Sequence, residues 1–413
     1  MKKSTWIPLT AIIIAVTALI SCQYMNAVLT NSYEAKLSEQ AKAYNEKIAE
    51  LEVQNEKYGT LNEIQQLAST YYMGELDEEK IERGMISGYI YGMGDRYAYY
   101  YSPEDFKTYN DENNGKMVGI GIRVIYDNEL GGIYVTAVMP GSPALESGLE
   151  NGDLIVGVED KAVADIGYFE AIGMIKNGEE NTKVKLYIAH KSDGYKTADE
   201  IEVERRAIEN KTVYSEMIYG NIGFVTITEF NKTTSDELKN AVNDLISDGA
   251  EKLIFDVRNN PGGDLEGVAG ALDFLLPEGP IIHIVSKKGV EKVINSDESC
   301  IELPMAVLVN GSTASAGELF CCSLKDYNKA VLVGTKTYGK GSMQSIIRLS
   351  NGGGFSFTTN RYDPPYSDNY DGVGVTPDIE IDLTEELQAH YYDMSHDEDI
   401  QLQAAIKALE KAE

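Results

Sequence analysis

The stretch VLVNGSTASAGELFCCSLKDYNKAVLVGTKTYGKGSMQ, residues 307–344, decides how the rest of the chain is read. Residues 307–309 are apolar and β-branched or leucine, as a buried strand requires, 310–316 are mostly small, and 317–324 carry a helical pattern. This predicts a strand-turn-helix corner. Ser315 falls where its hydroxyl can stand clear of the turn. The following amide, of Ala316, lies near a helix N-terminus, which favours a developing negative charge. A second strand, 330–333, leads through Gly334, Gly339 and Gly341 into a loop carrying Lys340, with Gln344 beyond it.

A serine hydroxyl needs a base to become a useful nucleophile. The chain has four histidines, His190, His283, His390 and His396, and none sits in a glycine-flanked loop beside a strand end. Lysine can serve instead when burial favours its neutral amine. In water, with a pKa of about 10.4, roughly one lysine in a few thousand is neutral at pH 7. Glycines on both sides of Lys340 would let the amine approach the serine and be enclosed, although a lone GKG is otherwise an ordinary surface turn.

STASAGE followed by TKTYGKGSMQ resembles the C-terminal processing peptidases, PDZ-bearing serine peptidases with a SASAxE pattern and a GKGxxQ pattern. The resemblance implies Ser315 as nucleophile, Lys340 as general base and Gln344 as the group that orients the lysine. Thr313 stands where the family usually has serine, outside the dyad. DVRNNPGGDLEGV, a strand followed by PGG and a helix, is a place where amides converge on an anion. By the same resemblance Gly262 or Gly263 supplies a second oxyanion donor beside Ala316. Spacing alone would equally allow a plain strand-to-helix turn there.

The resemblance extends over most of the chain. GMGDRYAYYYSPEDF is similar to the element that enters the family's PDZ domain. VGIGI, comprising Val118, Gly119, Ile120, Gly121 and Ile122, resembles a PDZ carboxylate-binding loop, and GSPALESGLENGDLIVGVEDKAV its turn, helix and strand. Residues 166–175 would form the other wall of the groove. DGVGVTPDIEI resembles a family element near the end of the core, whereas DPPYSDNY replaces the more usual TPSGRSI and so alters local substrate contacts. No cofactor or metal is implied, and no acyl-CoA site is recognisable for a hydratase-like use of the same core.

The 413 residues and 43% hydrophobic content suit two or three domains. A formal charge of −30 argues against nucleic acid and against a polybasic grip on anionic lipid. The four cysteines, Cys22, Cys300, Cys321 and Cys322, form no recognisable disulfide framework or metal spacing. Lys2 and Lys3 before an apolar run from Trp6 to Ile20 read as an export signal. An uncleaved anchor, acylation of Cys22 in the lipobox-like LISC, and free secretion all place the rest of the chain outside. Residues 32–66 read as a long helix, serving as a stalk, a homodimer seam or a solvated spacer. The tail from Asp399 is amphipathic and reads as a packed helix.

The expected architecture is an α+β multidomain chain. An anchor (1–31) and a helical region (32–112) precede an inserted β-rich PDZ domain (113–207), an α/β core of the crotonase- and Clp-like kind (208–384) and a helical tail (385–413). The expected activity is membrane-tethered serine endopeptidase action on protein substrates with apolar C-termini. A catalytically inactive PDZ scaffold is the alternative.

Overall fold

The computed structural model describes residues 6–127, 130–176 and 178–411, in two compact units, Met1–Met85 and Ile86–Glu413. The first is dominated by one continuous helix, Trp6–Tyr71. The leader and the expected spacer helix are therefore a single element. Pro8 lies in its first turn, where a missing amide is tolerated, and no glycine or proline follows before Gly59. Its segment Ile12–Leu29, with a mean hydropathy of 1.9, is long and apolar enough to cross a membrane.

In the second unit, the strands Lys116–Gly119 and Arg206–Glu209 pair antiparallel and bring the two ends of an inserted domain side by side. Within the insert, Ile122–Asp127, Gly132–Val138, Leu154–Val158, Lys183–Ala189 and Ala198–Glu204 follow one another across a sheet, with Lys161–Ala162 paired to the third. Alternating residues such as Ile133, Val135, Ile155, Leu186 and Ile188 fill its core beneath the helix Tyr168–Lys176. The strand Ile122–Asp127 lies at the sheet edge, so one side of its backbone is open to pairing.

The core is a six-stranded sheet in the order Val213–Ile218, Ile222–Ile227, Lys252–Asp256, Met305–Val309, Ala330–Gly334 and Ile379–Glu380. Its first pair is antiparallel and the others are parallel. Central strands such as LIF in Leu253–Phe255 and MAVLV are buried throughout because both faces are covered. Helices Thr234–Ser247, Leu265–Leu275 and Ala316–Asp326 pack on one face through Leu238, Val242, Leu272, Leu319 and Phe320. The tail helix Ile400–Glu410 covers the other through Leu402, Ala405 and Leu409.

A second sheet pairs Gly354–Asp363 with Tyr99–Tyr101, Gly279–Ser286 and Ser342–Arg348. Tyr99–Tyr101 therefore joins a sheet of the core, although it falls in the stretch expected to be helical. The strand beginning at Ser342 also takes in Gln344.

Candidate active site

The strand Met305–Val309 ends at Asn310, whose side chain accepts the amides of Asn259 (3.0 Å) and Ser312 (3.1 Å). Thr313 is fully buried and donates its hydroxyl to the Val257 carbonyl at 2.8 Å. The threonine at this position thus pins the turn to the neighbouring strand end. Ser315 then sits at φ 56°, ψ −118°, immediately before the helix Ala316–Asp326. For a residue with a side chain this backbone costs about 1–3 kcal/mol and persists only where its surroundings enforce it. Gly262 supplies part of that enforcement, since a Cβ there would lie 2.6 Å from the Ser315 Cβ and 2.8 Å from the Ala316 nitrogen.

Glu318, one turn into the helix, is completely buried and joins the two halves of the site. Its carboxylate accepts the Ser315 amide at 2.9 Å, the Lys340 amide at 2.7 Å, the Gly339 amide at 2.6 Å and the Thr337 hydroxyl at 2.5 Å. Four donors on one carboxylate compensate the desolvation of a buried charge. The sequence signal for this residue was present in STASAGE, where a glutamate stands at the third helical position after a serine.

The backbone of Lys340 is therefore fixed relative to Ser315, but its side chain is directed elsewhere. The Lys340 amine lies 4.6 Å from the ring centre of Tyr97. Burial, with the neighbouring Arg96 charge adding to it, pushes this amine below its ordinary range, while Asp371, Asp95 and Glu318 pull the other way. Ser315 Oγ instead shares a 2.7 Å hydrogen bond with the hydroxyl of Tyr362, which is buried and also donates to the Lys340 carbonyl at 3.3 Å. Among the described residues no hydrogen bond joins the Lys340 amine to Ser315.

Gln344 does not reach the lysine either. Its Nε2 donates to Ser342 Oγ (3.3 Å) and Thr358 Oγ1 (3.1 Å). Thr358 is in turn held by Asp95, which accepts its amide at 2.7 Å. The segment GDRY, read from the sequence as a domain entry, thus contributes Asp95 and Tyr97 to the surroundings of Gln344 and Lys340.

Of the two glycines expected to supply the second oxyanion donor, Gly262 is already committed, because its amide donates to Asn260 Oδ1 at 2.8 Å. Asn260 is fully buried and also accepts the Ala314 amide on its carbonyl at 2.9 Å, tying this loop to the serine turn. Among the described residues the amides of Gly263 and Ala316 carry no hydrogen bond. Of the three amides expected to form an oxyanion site, these two are without a partner among the described residues. A cavity of about 900 Å³ runs past Gly263 and Asn259 and is lined across from them by Ile122 and Val124 of the edge strand.

In the inserted domain, Val118 and Gly119 belong to the strand paired with Ala207 and Arg206 rather than to an open loop. The strand KMVG closes the insert, and only Ile120 and Gly121 form the connection to Ile122. Ile120 is buried in the domain core, and Gly121 takes φ 81° against buried Ser142, where any Cβ would collide. Cys22 lies exposed on the long N-terminal helix.

The model for peptidase family S41 matches residues 221–381, and that for the PDZ domain matches residues 109–189. Over 340 residues the chain is 31% identical to the carboxy-terminal processing protease CtpA of Bacillus subtilis, covering 82% of this chain and 72% of that protein. The chain belongs to peptidase family S41. It is also 33% identical over 321 residues to a CtpA-like serine protease of Staphylococcus aureus. That alignment covers 76% of this chain, which spans only 63% of the length of the relative. An S41 protease from Bacteroides fragilis shares the fold, with a TM-score of 0.54 at 19% identity over 72% of this chain and 84% of that one. The S41 match takes in the serine turn, the Lys340 loop, Gly262 and Gly263, and the expected mixed helix-and-sheet architecture with a PDZ domain holds.

Proposed function

We propose that this S41 chain is a serine endopeptidase in which Ser315 attacks the scissile carbonyl and Lys340 acts as general base. The observation that carries this reading is the Glu318 staple. One buried carboxylate binds the backbone of a strained serine at a helix N-terminus and the backbone of a half-buried lysine. A surface lysine in a glycine turn has no need of such a connection.

The arrangement reads as a resting state. To act, the Lys340 amine leaves the face of Tyr97 and takes the place of the Tyr362 hydroxyl at Ser315 Oγ. The neutral amine accepts the serine proton as the alkoxide adds to the carbonyl. The amides of Ala316 and Gly263 hold the oxyanion, the leaving amine is protonated by the lysine, and water then hydrolyses the acyl-serine. Gln344 must also turn from Thr358 to orient the lysine.

Substrate proteins are captured at their C-termini by the PDZ domain. The backbone open at Ile122–Asp127 takes the chain as an added strand, and the cavity lined by Ile122 leads to Gly263, next to the glycine that packs on Ser315. The apolar span Ile12–Leu29 tethers the enzyme to the membrane, with its catalytic part outside the cytoplasm. The test compares hydrolysis of one unstructured polypeptide with an apolar C-terminus, presented free and amidated, by the wild-type chain and by Ser315→Ala. Faster loss of the free form, absent in the variant, is expected. Equal rates for the two forms would remove C-terminal recognition from the account.

The withdrawn Lys340 and the engaged Gln344 favour one second reading, a PDZ scaffold that no longer catalyses. Covalent labelling of Ser315 by a serine-directed phosphonate separates the two, since a scaffold would remain unmodified.

A further inference from the structure

Arg258 opens the loop that carries Gly263 and is itself buried. Its Nε donates to both oxygens of Asp256, at 3.0 and 3.1 Å, and its Nη2 to Asp256 Oδ2 at 2.6 Å. The remaining partners come from the tail. Nη2 also donates to Asp399 Oδ2 at 2.8 Å, Nη1 donates to Gln401 Oε1 at 3.0 Å, and the Tyr391 ring lies 5.2 Å from the guanidinium carbon. Asp399 and Gln401 are as buried as the arginine.

Each tail residue is held from its other side. Asp399 Oδ1 accepts the amides of Gln401 and Leu402, both at 3.0 Å, and so caps the helix Ile400–Glu410. Gln401 Nε2 donates to the Ile381 carbonyl at 2.7 Å, beside the last core strand. From Arg258 the connection continues toward the serine. Asn259 takes φ 60°, its amide held by Asn310, and Asn260 accepts the amides of both Gly262 and Ala314. A guanidinium this buried is costly to leave short of an acceptor, so removing one displaces the loop instead.

We propose that Asp399, Gln401 and Tyr391 are positioning residues for the hydrolysis. They fix Arg258, and through it the loop whose Gly263 amide receives the oxyanion. The proposal rests on the peptidase reading given above. It makes the tail helix part of the catalytic framework as well as a cover for one face of the sheet.

A double-mutant cycle in the full chain tests it. Asp399→Ser keeps a helix-capping oxygen but is too short to reach Arg258. It is expected to lower kcat about tenfold or more with KM unchanged. Asp399→Asn, whose single oxygen can serve either Arg258 or the helix amides but not both, is expected to recover only part of that loss. Arg258→Met removes the group through which the tail acts, so Arg258→Met with Asp399→Ser should be no slower than Arg258→Met alone. Hydrogen exchange at the bonded amides of Asn259, Asn260 and Gly262 should quicken in Asp399→Ser. Losses that multiply in the double variant, or exchange in this loop equal to wild type, would overturn the proposal. Absence of any hydrolysis by the wild-type chain counts against the peptidase reading instead, and the exchange measurement still decides the clamp.

Discussion

The proposed nucleophile and base, Ser315 and Lys340, are tied to one carboxylate but are held in different ways. On the serine side, Thr313, Asn260, Asn310 and Gly262 fix the turn through hydrogen bonds and close backbone packing, and Ser315 is kept in a strained conformation. On the lysine side only the backbone is fixed, by Glu318, while the side chain rests on Tyr97 and Gln344 is bonded to Thr358. The difference teaches where each kind of precision is needed. An oxyanion site gains from donors that do not move, whereas a lysine on a four-carbon stem can be withdrawn at little structural cost.

The largest expected effects come from removing the reacting groups. Ser315→Ala and Lys340→Ala should each lower peptide hydrolysis by roughly 10⁴-fold or more, because the two act as a unit. Near-full activity in Lys340→Ala would make the lysine side irrelevant to the chemistry. Next comes the residue that joins the halves. Glu318→Gln keeps the shape but turns an amide donor toward groups that are themselves donors, and it should cost roughly 100-fold in kcat with a lower melting temperature. A variant with wild-type kinetics would show that the halves need no staple.

Acidity sharpens the comparison further. Burial depresses the Lys340 pKa, so the fraction of neutral amine, and with it kcat/KM, should rise about tenfold per pH unit on the acid side. The rise should level off below the range of an ordinary lysine, and a flat profile would count against an amine base. The smallest effect is expected at the serine's present partner. Tyr362→Phe removes its hydrogen bond to Ser315, and hydrolysis should stay within about fivefold of wild type. Loss of all activity would transfer the role of base to the tyrosine.

Much of the serine side could be read in the sequence because its determinants are local. The strand, the small-residue turn and the helix follow one another within residues 305–326, and apolar periodicity marks each. The alternating core strands and helices were legible for the same reason. The lysine side was not, because its contacts are made by Asp95 and Tyr97 before the inserted domain and by Thr358 and Tyr362 after the loop. Rotamers that depend on partners distant in sequence leave no spacing to detect. Gly262 and Gly263 were indistinguishable as letters, and only Asn260, which takes the first amide, separates them. The tail announced a packed helix, but not that its capping aspartate would also hold an arginine at the opposite end of the core sequence.

The most direct measurement of the account is mass spectrometry of the intact chain after treatment with a serine-directed phosphonate. One phosphonyl group is expected, located on Ser315, with its formation slowed by orders of magnitude in Lys340→Ala. Modification of a different serine, or equal labelling with and without the lysine, would contradict it.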